Sequence, residues 1–347
     1  MHKSWSRIFV VAMAIPLLLM VLAACGSGTS GNGSTSTGNT IIKIATELPV
    51  SGKDESSGKP AENGAHLALD EANANHTIQG YTLQFVPKDD VGLGQIHDPS
   101  VGQQNVEALV GDALVAGIVG PFNSNVARAE MPVANRAPIA LISPANTNTC
   151  LTQSTADTGC TGPNLQVPTL RPTGKVTYFR IATTDNHQGG VGADYLYKTL
   201  NYKSAYVIDD AETYGIGIAN AFIKEYGVDG GKVLGHSSEP GTTTSYLNLL
   251  TQVAAMKPDV IYFAGLDSTG GILVRQQMEK IAALKNTPYA GGDGLQTSTF
   301  ATTIGVGSGG PVYSTVAAAN ADIIPSAQAF IAKYKSTYGA SQYGAYS

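Results

Sequence analysis

LVAGIVGPFNSNVARAEMPVANRAPIALISPANT, residues 114–147, is the stretch on which the fold turns. Leu114–Val119 and Ile139–Ile142 are short and wholly apolar. Between them Asn125–Arg136 spaces its apolar residues near the helical repeat, and Gly120-Pro121 breaks the chain ahead of it. A strand apolar on both faces has to be covered on both faces, which is the situation of a parallel sheet in an α/β layer.

The same alternation runs outward in both directions. Strands are predicted at Ile41–Glu47 and Thr82–Val86 before this stretch, and at Ser204–Ile208, Lys232–Gly235, Val260–Ala264 and Pro288–Ala290 after it. Helices are predicted at Pro60–Ala74, Val101–Val110, Gln188–Leu200, Gly217–Tyr226, Tyr246–Met256 and Gly271–Leu284. The Pro- and Thr-rich segment Cys150–Lys175 interrupts the series. The expectation is an α/β chain of two Rossmann-like lobes with parallel sheets. Residues 41–181 form lobe 1, 182–314 form lobe 2, and 315–347 return to lobe 1.

At the N-terminus, His2, Lys3 and Arg7 precede an apolar run, Ile8–Leu22, that is short for a membrane span. The run ends in Leu22-Ala23-Ala24-Cys25-Gly26, which resembles the lipobox of bacterial lipoproteins. That resemblance implies a signal peptide over 1–25 and a diacylglycerol on Cys25, two acyl chains being enough for stable anchoring. A cleaved secretion signal or a single-span anchor would share the basic start and the apolar run, without a role for the cysteine. Residues 26–40 are almost entirely Gly, Ser, Thr and Asn, with nothing to bury, and are predicted to be a flexible tether. The expected location is the extracytoplasmic face of the cell membrane, lipid-anchored.

Composition narrows the partners. The net charge is −5, only 14% of residues are charged, and no Lys/Arg cluster stands out, which argues against nucleic acid. Of three cysteines, Cys25 is assigned to the lipid, leaving Cys150 and Cys160. An exported chain would join them in a disulfide worth roughly 3 kcal/mol for so short a loop; two free thiols are the alternative. No further Cys or His lies nearby to make a metal site. The chain contains no Gly-x-Ser-x-Gly, His-Glu-x-x-His or phosphate loop, so no enzyme and no cofactor is predicted. Asp89 and Asp90, which could be read as paired acids, are placed at a strand end near the cleft.

Six short motifs carry a family resemblance: Leu48-Pro49-Val50-Ser51-Gly52, Lys88-Asp89-Asp90, Gly120-Pro121-Phe122-Asn123-Ser124, Ile142-Ser143-Pro144-Ala145-Asn146-Thr147, Thr213-Tyr214-Gly215 and Gly291-Gly292-Asp293-Gly294. In order and spacing they resemble the substrate-binding proteins of branched-chain (Leu/Ile/Val-type) amino-acid ABC transporters, over Ile41 to the end. The resemblance implies a type I periplasmic binding protein that closes two lobes on an amino acid and delivers it to permease subunits. A monomer is expected. A ligand-sensing receptor for an amide or other small polar solute is the alternative.

The resemblance also implies roles. Ser124, at the start of a helix, matches a hydroxyl that binds the ligand α-carboxylate, in keeping with the affinity of helix N-termini for anions; it could equally only cap the helix. Ala145 and Thr147 match carbonyl and hydroxyl contributors, or form a ligand-free turn. Tyr214 matches an aromatic that closes over the ligand, and Asp293 an acid that pairs with the ammonium, or an exposed turn aspartate. Phe122 is assigned to an apolar wall. The family often has aromatics where this chain has Ser57 and, after Ala264-Gly265, Leu266 or Asp267, which leaves the ligand's identity open. In the family the chain returns to the first lobe near Val312–Ala317 and crosses the hinge again. Here Tyr343-Gly344-Ala345-Tyr346 reads as the start of a helix cut short, so the C-terminus is expected to be truncated.

Overall fold

The structure, a computed structural model, describes residues 39–154, 159–161, 166–305 and 309–347. The leader and Cys25 lie outside the described residues. The first sheet is built from β1 (Thr40–Leu48), β2 (Tyr81–Asp89), β3 (Val115–Val119), β4 (Ala140–Ser143) and β5 (Tyr178–Arg180), in the order β2-β1-β3-β4-β5. Its connections carry α1 (Glu55–Ala74), α2 (Pro99–Val110), α3 (Ser124–Arg136) and the single turn α4 (Val167–Leu170). A crossing through Ile181–Thr184 leads to α5 (Asp185–Asp194).

The second sheet consists of β6 (Ser204–Asp209), β7 (Lys232–Ser238), β8 (Val260–Ala264), β9 (Tyr289–Gly291) and β10 (Val312–Ser314), in the order β10-β9-β8-β6-β7. The helices α6 (Thr213–Val228), α7 (Leu247–Met256), α8 (Ile272–Met278) and α9 (Ser298–Ile304) connect them. Every strand pair is parallel. A last helix, α10 (Gln328–Tyr338), packs on α1, where Tyr334 Oη donates to Pro60 O at 2.9 Å.

The period of two along β6 and β8 shows why these sequences sit centrally. Ala205, Val207, Val260, Tyr262 and Ala264 point to one core with Phe222 of α6, and the Phe222 and Tyr262 rings stack at 3.8 Å. Tyr206, Ile208, Ile261 and Phe263 point to the opposite core with Leu250, Val274 and Met278. The second sheet is thus covered on both faces. The first is covered unevenly. Leu141 and Tyr178 join a core with Val106, Leu109 and Met131 from α2 and α3, but their neighbours Ile142 and Phe179 face the other way and remain 41% and 49% exposed. The expectation of full double coverage is therefore corrected at β4–β5, because α1 lies over β1 and β2 at the far side of that sheet.

Other differences from the sequence reading are local. β5 is only three residues long and follows a polar loop, too brief for a periodicity to register. Val312–Ser314 does not return to the first lobe; it pairs with β9, Val312 opposite Tyr289, as the edge of the second sheet. The helix after the crossing begins earlier than predicted, at Asp185, and loosens over Tyr195–Thr199 into a wider turn. Tyr343–Tyr346 is not helical; it follows a short turn at Ala340–Gln342.

Candidate functional site

Each sheet reverses its strand order once, between β1 and β3 and between β6 and β8. Loops leaving the carboxyl ends on either side of such a point diverge and open a crevice, the usual place for a ligand in this architecture. Phe122 and Ser124 follow β3, Ala145 and Thr147 follow β4, Tyr214 follows β6, and Asp293 follows β9. All six line one small cavity, together with Glu212 and Leu266. Its volume is about 20 Å³, room for roughly one water molecule. In this arrangement the lobe faces meet, and a ligand larger than a water molecule would enter only when they part.

The first-lobe wall is set by the β3–α3 turn. Gly120 has φ 145°, and a Cβ there would strike the Glu47 carbonyl, so only glycine lets the turn lie against β1. The Gly120-Pro121 peptide is cis. Asn123 is the residue ahead of α3, so Ser124 is not the cap but the first helical residue. Ser124 is buried, and its Oγ accepts from the Asn148 amide at 3.4 Å. Thr147 is buried as well, and its carbonyl accepts from Asp185 N at 2.8 Å. Ala145 N rests on Ser143 Oγ at 3.2 Å. Cys150 and Cys160 are joined, with Cα atoms 5.2 Å apart, just beyond this wall.

The second-lobe wall is acidic. Asp293 Oδ1 accepts from Tyr214 Oη at 2.8 Å and Gln188 Nε2 at 2.7 Å, and its Oδ2 accepts from Tyr346 Oη at 2.7 Å. Burial pushes the Asp293 carboxyl up from its ordinary value, while the three donors pull it part of the way back. Tyr346 also packs edge-on against Phe122, with ring centroids 5.8 Å apart. Asp185 lies close by, raised to about 8 chiefly by burial. The lobes approach so closely that a Cβ on Gly217 of α6 would meet Asn148 and Asp185 side chains.

Sequence reasoning therefore named residues that do converge, and missed several beside them. Tyr346 was assigned to a helix start, and Gln188 to an anonymous helical pattern. Glu212 adjoins the Thr213-Tyr214-Gly215 motif, the one signal that could have found it. Of the two positions noted for lacking an aromatic, Ser57 lies in α1 and lines neither cavity; at the other, Leu266 lines this cavity, whereas Asp267 faces a separate open groove of about 1280 Å³ that shares none of the candidate residues. Asp89 ends β2 and accepts from Val50 N and Val91 N, both at 3.1 Å. Asp90 is wholly buried near Glu47 and Glu130. Burial drives all three of these carboxyls up, and the charge of each on its neighbours adds to the rise. Asp194, Glu225 and Asp229 are grouped closely enough to hold a cation, but Lys198 already lies 2.7 Å from both Asp194 and Asp229. Among the described residues no helix is long and apolar enough to cross a membrane.

Residues 41–347 match the family described as periplasmic binding protein. The chain is 29% identical to the Leu/Ile/Val-binding protein BraC3 of Rhizobium johnstonii over 260 residues, 75% of this chain and 63% of that protein. It is 28% identical to an amino acid binding protein of Pseudomonas aeruginosa over 319 residues, 91% of this chain and 76% of the relative. Among solved structures, the branched-chain amino acid transporter substrate binding protein LivJ of Streptococcus pneumoniae, in complex with isoleucine, superposes with a TM-score of 0.72 at 25% identity, covering 86% of this chain and 78% of that one. The fold of two parallel α/β lobes is the same. This chain thus spans less than two thirds of the length of the Rhizobium relative.

Proposed function

Because the chain belongs to the periplasmic binding protein family, we propose that it is the extracytoplasmic substrate-binding component of an ABC importer, taking an aliphatic or branched-chain amino acid between its lobes and performing no chemistry on it. The printed names of the relatives, Leu/Ile/Val-binding among them, support the ligand class. The observation that carries the reading is the polarity of the cavity: hydroxyls at the start of a helix on one wall, and Asp293 on the other. Ser124, Thr147 and the α3 amides take the α-carboxylate. Asp293 takes the ammonium, which displaces the Tyr346 hydroxyl, while Tyr214 holds the acid in place. Phe122, Ala145 and Leu266 bound the side chain. Contacts to both lobes exist only when they are together, so ligand favours closure. A permease would read the closed form.

Within this reading residues 41–181 and 182–314 are the two lobes, residues 315–347 lead back to the first, and the protein acts as a monomer tethered through a lipid on Cys25. Isothermal titration across an amino-acid panel tests the binding claim. Saturable binding of leucine, isoleucine or valine is expected, and isobutyric acid and isoamylamine, each lacking one of the two charged groups, should bind far more weakly. No binding by any amino acid would overturn it. Membrane fractionation tests the anchor: Cys25→Ser should move the protein wholly to the soluble extracytoplasmic fraction, and continued membrane partitioning would refute the lipid.

A further inference from the structure

The loop between β2 and α2 places His97 in the interior, its side chain with no solvent exposure. The ring Nδ1 lies 2.8 Å from Asp54 Oδ2, and the His97 backbone N donates to the same oxygen at 2.8 Å. Both groups belong to the first lobe. The other ring nitrogen, Nε2, lies 2.8 Å from Oε2 of Glu212, which belongs to the second lobe and caps the cavity beside Tyr214. The same Glu212 oxygen accepts from Asn125 Nδ2 of α3 at 3.1 Å. A neutral imidazole carries one N–H and would turn a lone pair towards one of the two carboxylates; only the imidazolium donates to both.

We propose that His97 and Glu212 form a cross-cleft clasp, present when His97 is protonated, that positions the second-lobe wall over the ligand and makes ligand affinity fall as pH rises. The proposal rests on the amino-acid reading for its ligand, though not for its geometry. The groups facing the ring are carboxylates from several elements: Asp54 ahead of α1, Asp90 after β2, and Asp210 and Glu212 after β6, with Asp267 after β8 set against Asp54. Across the same junction Arg128 Nη1 of α3 donates to Thr213 Oγ1 at 3.2 Å, and the groups acting on His97 itself are carboxylates. Burial by itself would lower the imidazole pKa, but the bonds to Asp54 and Glu212 outweigh it and hold it well above the ordinary histidine value. Opening the lobes removes Glu212 and exposes Nε2, so closure retains the proton more tightly. The clasp is complete below the ordinary pKa of about 6.5, and it is lost as pH rises through the elevated one.

Titration of the whole chain with L-isoleucine and L-leucine between pH 6 and pH 9.5 tests this. The native chain should lose affinity by roughly tenfold or more over that range, the scale of one hydrogen bond to a charged group. His97→Gln and Glu212→Gln should bind more weakly at pH 6 and show a shallower profile than the native chain, the remaining slope belonging to Asp185, Asp210 and the ligand amine, and the double variant should be no weaker than either single one. Glu212 is partly exposed, so its variant tests the clasp even where the buried His97 variant fails to fold. Equal pH profiles in the native chain and Glu212→Gln overturn the clasp. If neither amino acid binds at any pH, the amino-acid reading fails by itself. Small-angle scattering of the ligand-free chain then decides the clasp: a larger radius of gyration at pH 9.5 than at pH 6 in the native chain alone supports it, and an unchanged radius overturns it.

Discussion

The two walls of the cleft are made from equivalent parts of equivalent lobes, yet they differ in charge. The first-lobe wall presents Ser124, Thr147 and the start of α3, all neutral donors or acceptors. That lobe does contain acids, Glu47 in β1, Asp90 after β2 and Glu130 in α3, but they are sealed away from the cavity and driven up by burial, whereas Asp293, also raised by burial, lines the cavity and is drawn part of the way back by three donors. The second-lobe wall puts Glu212 and Asp293 on the cavity itself. The difference teaches that the cleft is polarised before any ligand arrives. On the amino-acid reading proposed above, a zwitterion would fit it in one orientation, carboxylate to the first lobe and ammonium to the second, and the reversed orientation would set carboxylate against carboxylate.

The largest expected effect comes from removing that polarity at its source. Asp293→Ala leaves the ligand ammonium without a buried counter-charge, a loss of about 2–5 kcal/mol, so titration calorimetry should show binding weakened by roughly 30-fold or more. Unchanged affinity would take Asp293 out of the site and end the comparison between the walls. A smaller effect is expected on the neutral side. Ser124→Ala removes one hydrogen bond to a charged group and should weaken amino-acid binding about tenfold, while leaving the weak binding of isoamylamine unaltered, because that ligand has no carboxylate. Equal losses for both ligands would mean that Ser124 supports the wall without touching the carboxylate.

The smallest effect concerns the hidden acids. Their pKa values are raised in the folded chain, so the folded state binds protons that the unfolded state has released. Stability from these groups is present below their ordinary carboxylate pKa and is lost as pH rises towards the elevated ones. Thermal melts should therefore fall between pH 5 and pH 9, with Asp210, raised to about 7, and Asp185, raised to about 8, adding to the same trend. Glu130→Gln replaces a buried titrating acid with a neutral amide and should flatten that slope, leaving the variant higher than the native chain at pH 9 by about 2–4 °C. Parallel melting curves for the two would show that Glu130 is not titrating with its neighbours.

Much of this was legible in residues 114–147. Their apolar strands, the Gly-Pro break and the helical spacing point to a parallel α/β sheet, and the turn that brings Ser124 to a helix start is written in the same line; that Ile142 stays exposed on one face was not legible there. Strand type and lobe count follow from local patterns, because a strand buried on both faces leaves no polar positions and a helix must hide one stripe. Asp293 and Tyr214 were reachable only through their motifs, since a lone aspartate between glycines has no local mark of burial. What the tertiary structure alone decided is which distant groups meet. Glu212 and His97 are separated by 115 residues and touch because the loop after β2 and the loop after β6 are brought together where the lobes meet. Tyr346 and Asp293 are likewise 53 residues apart. A carboxylate's charge state, and hence whether it greets a ligand or is sealed in as a neutral acid, depends on the dielectric and the partners around it. Those are properties of the folded packing, and no sequence window contains them.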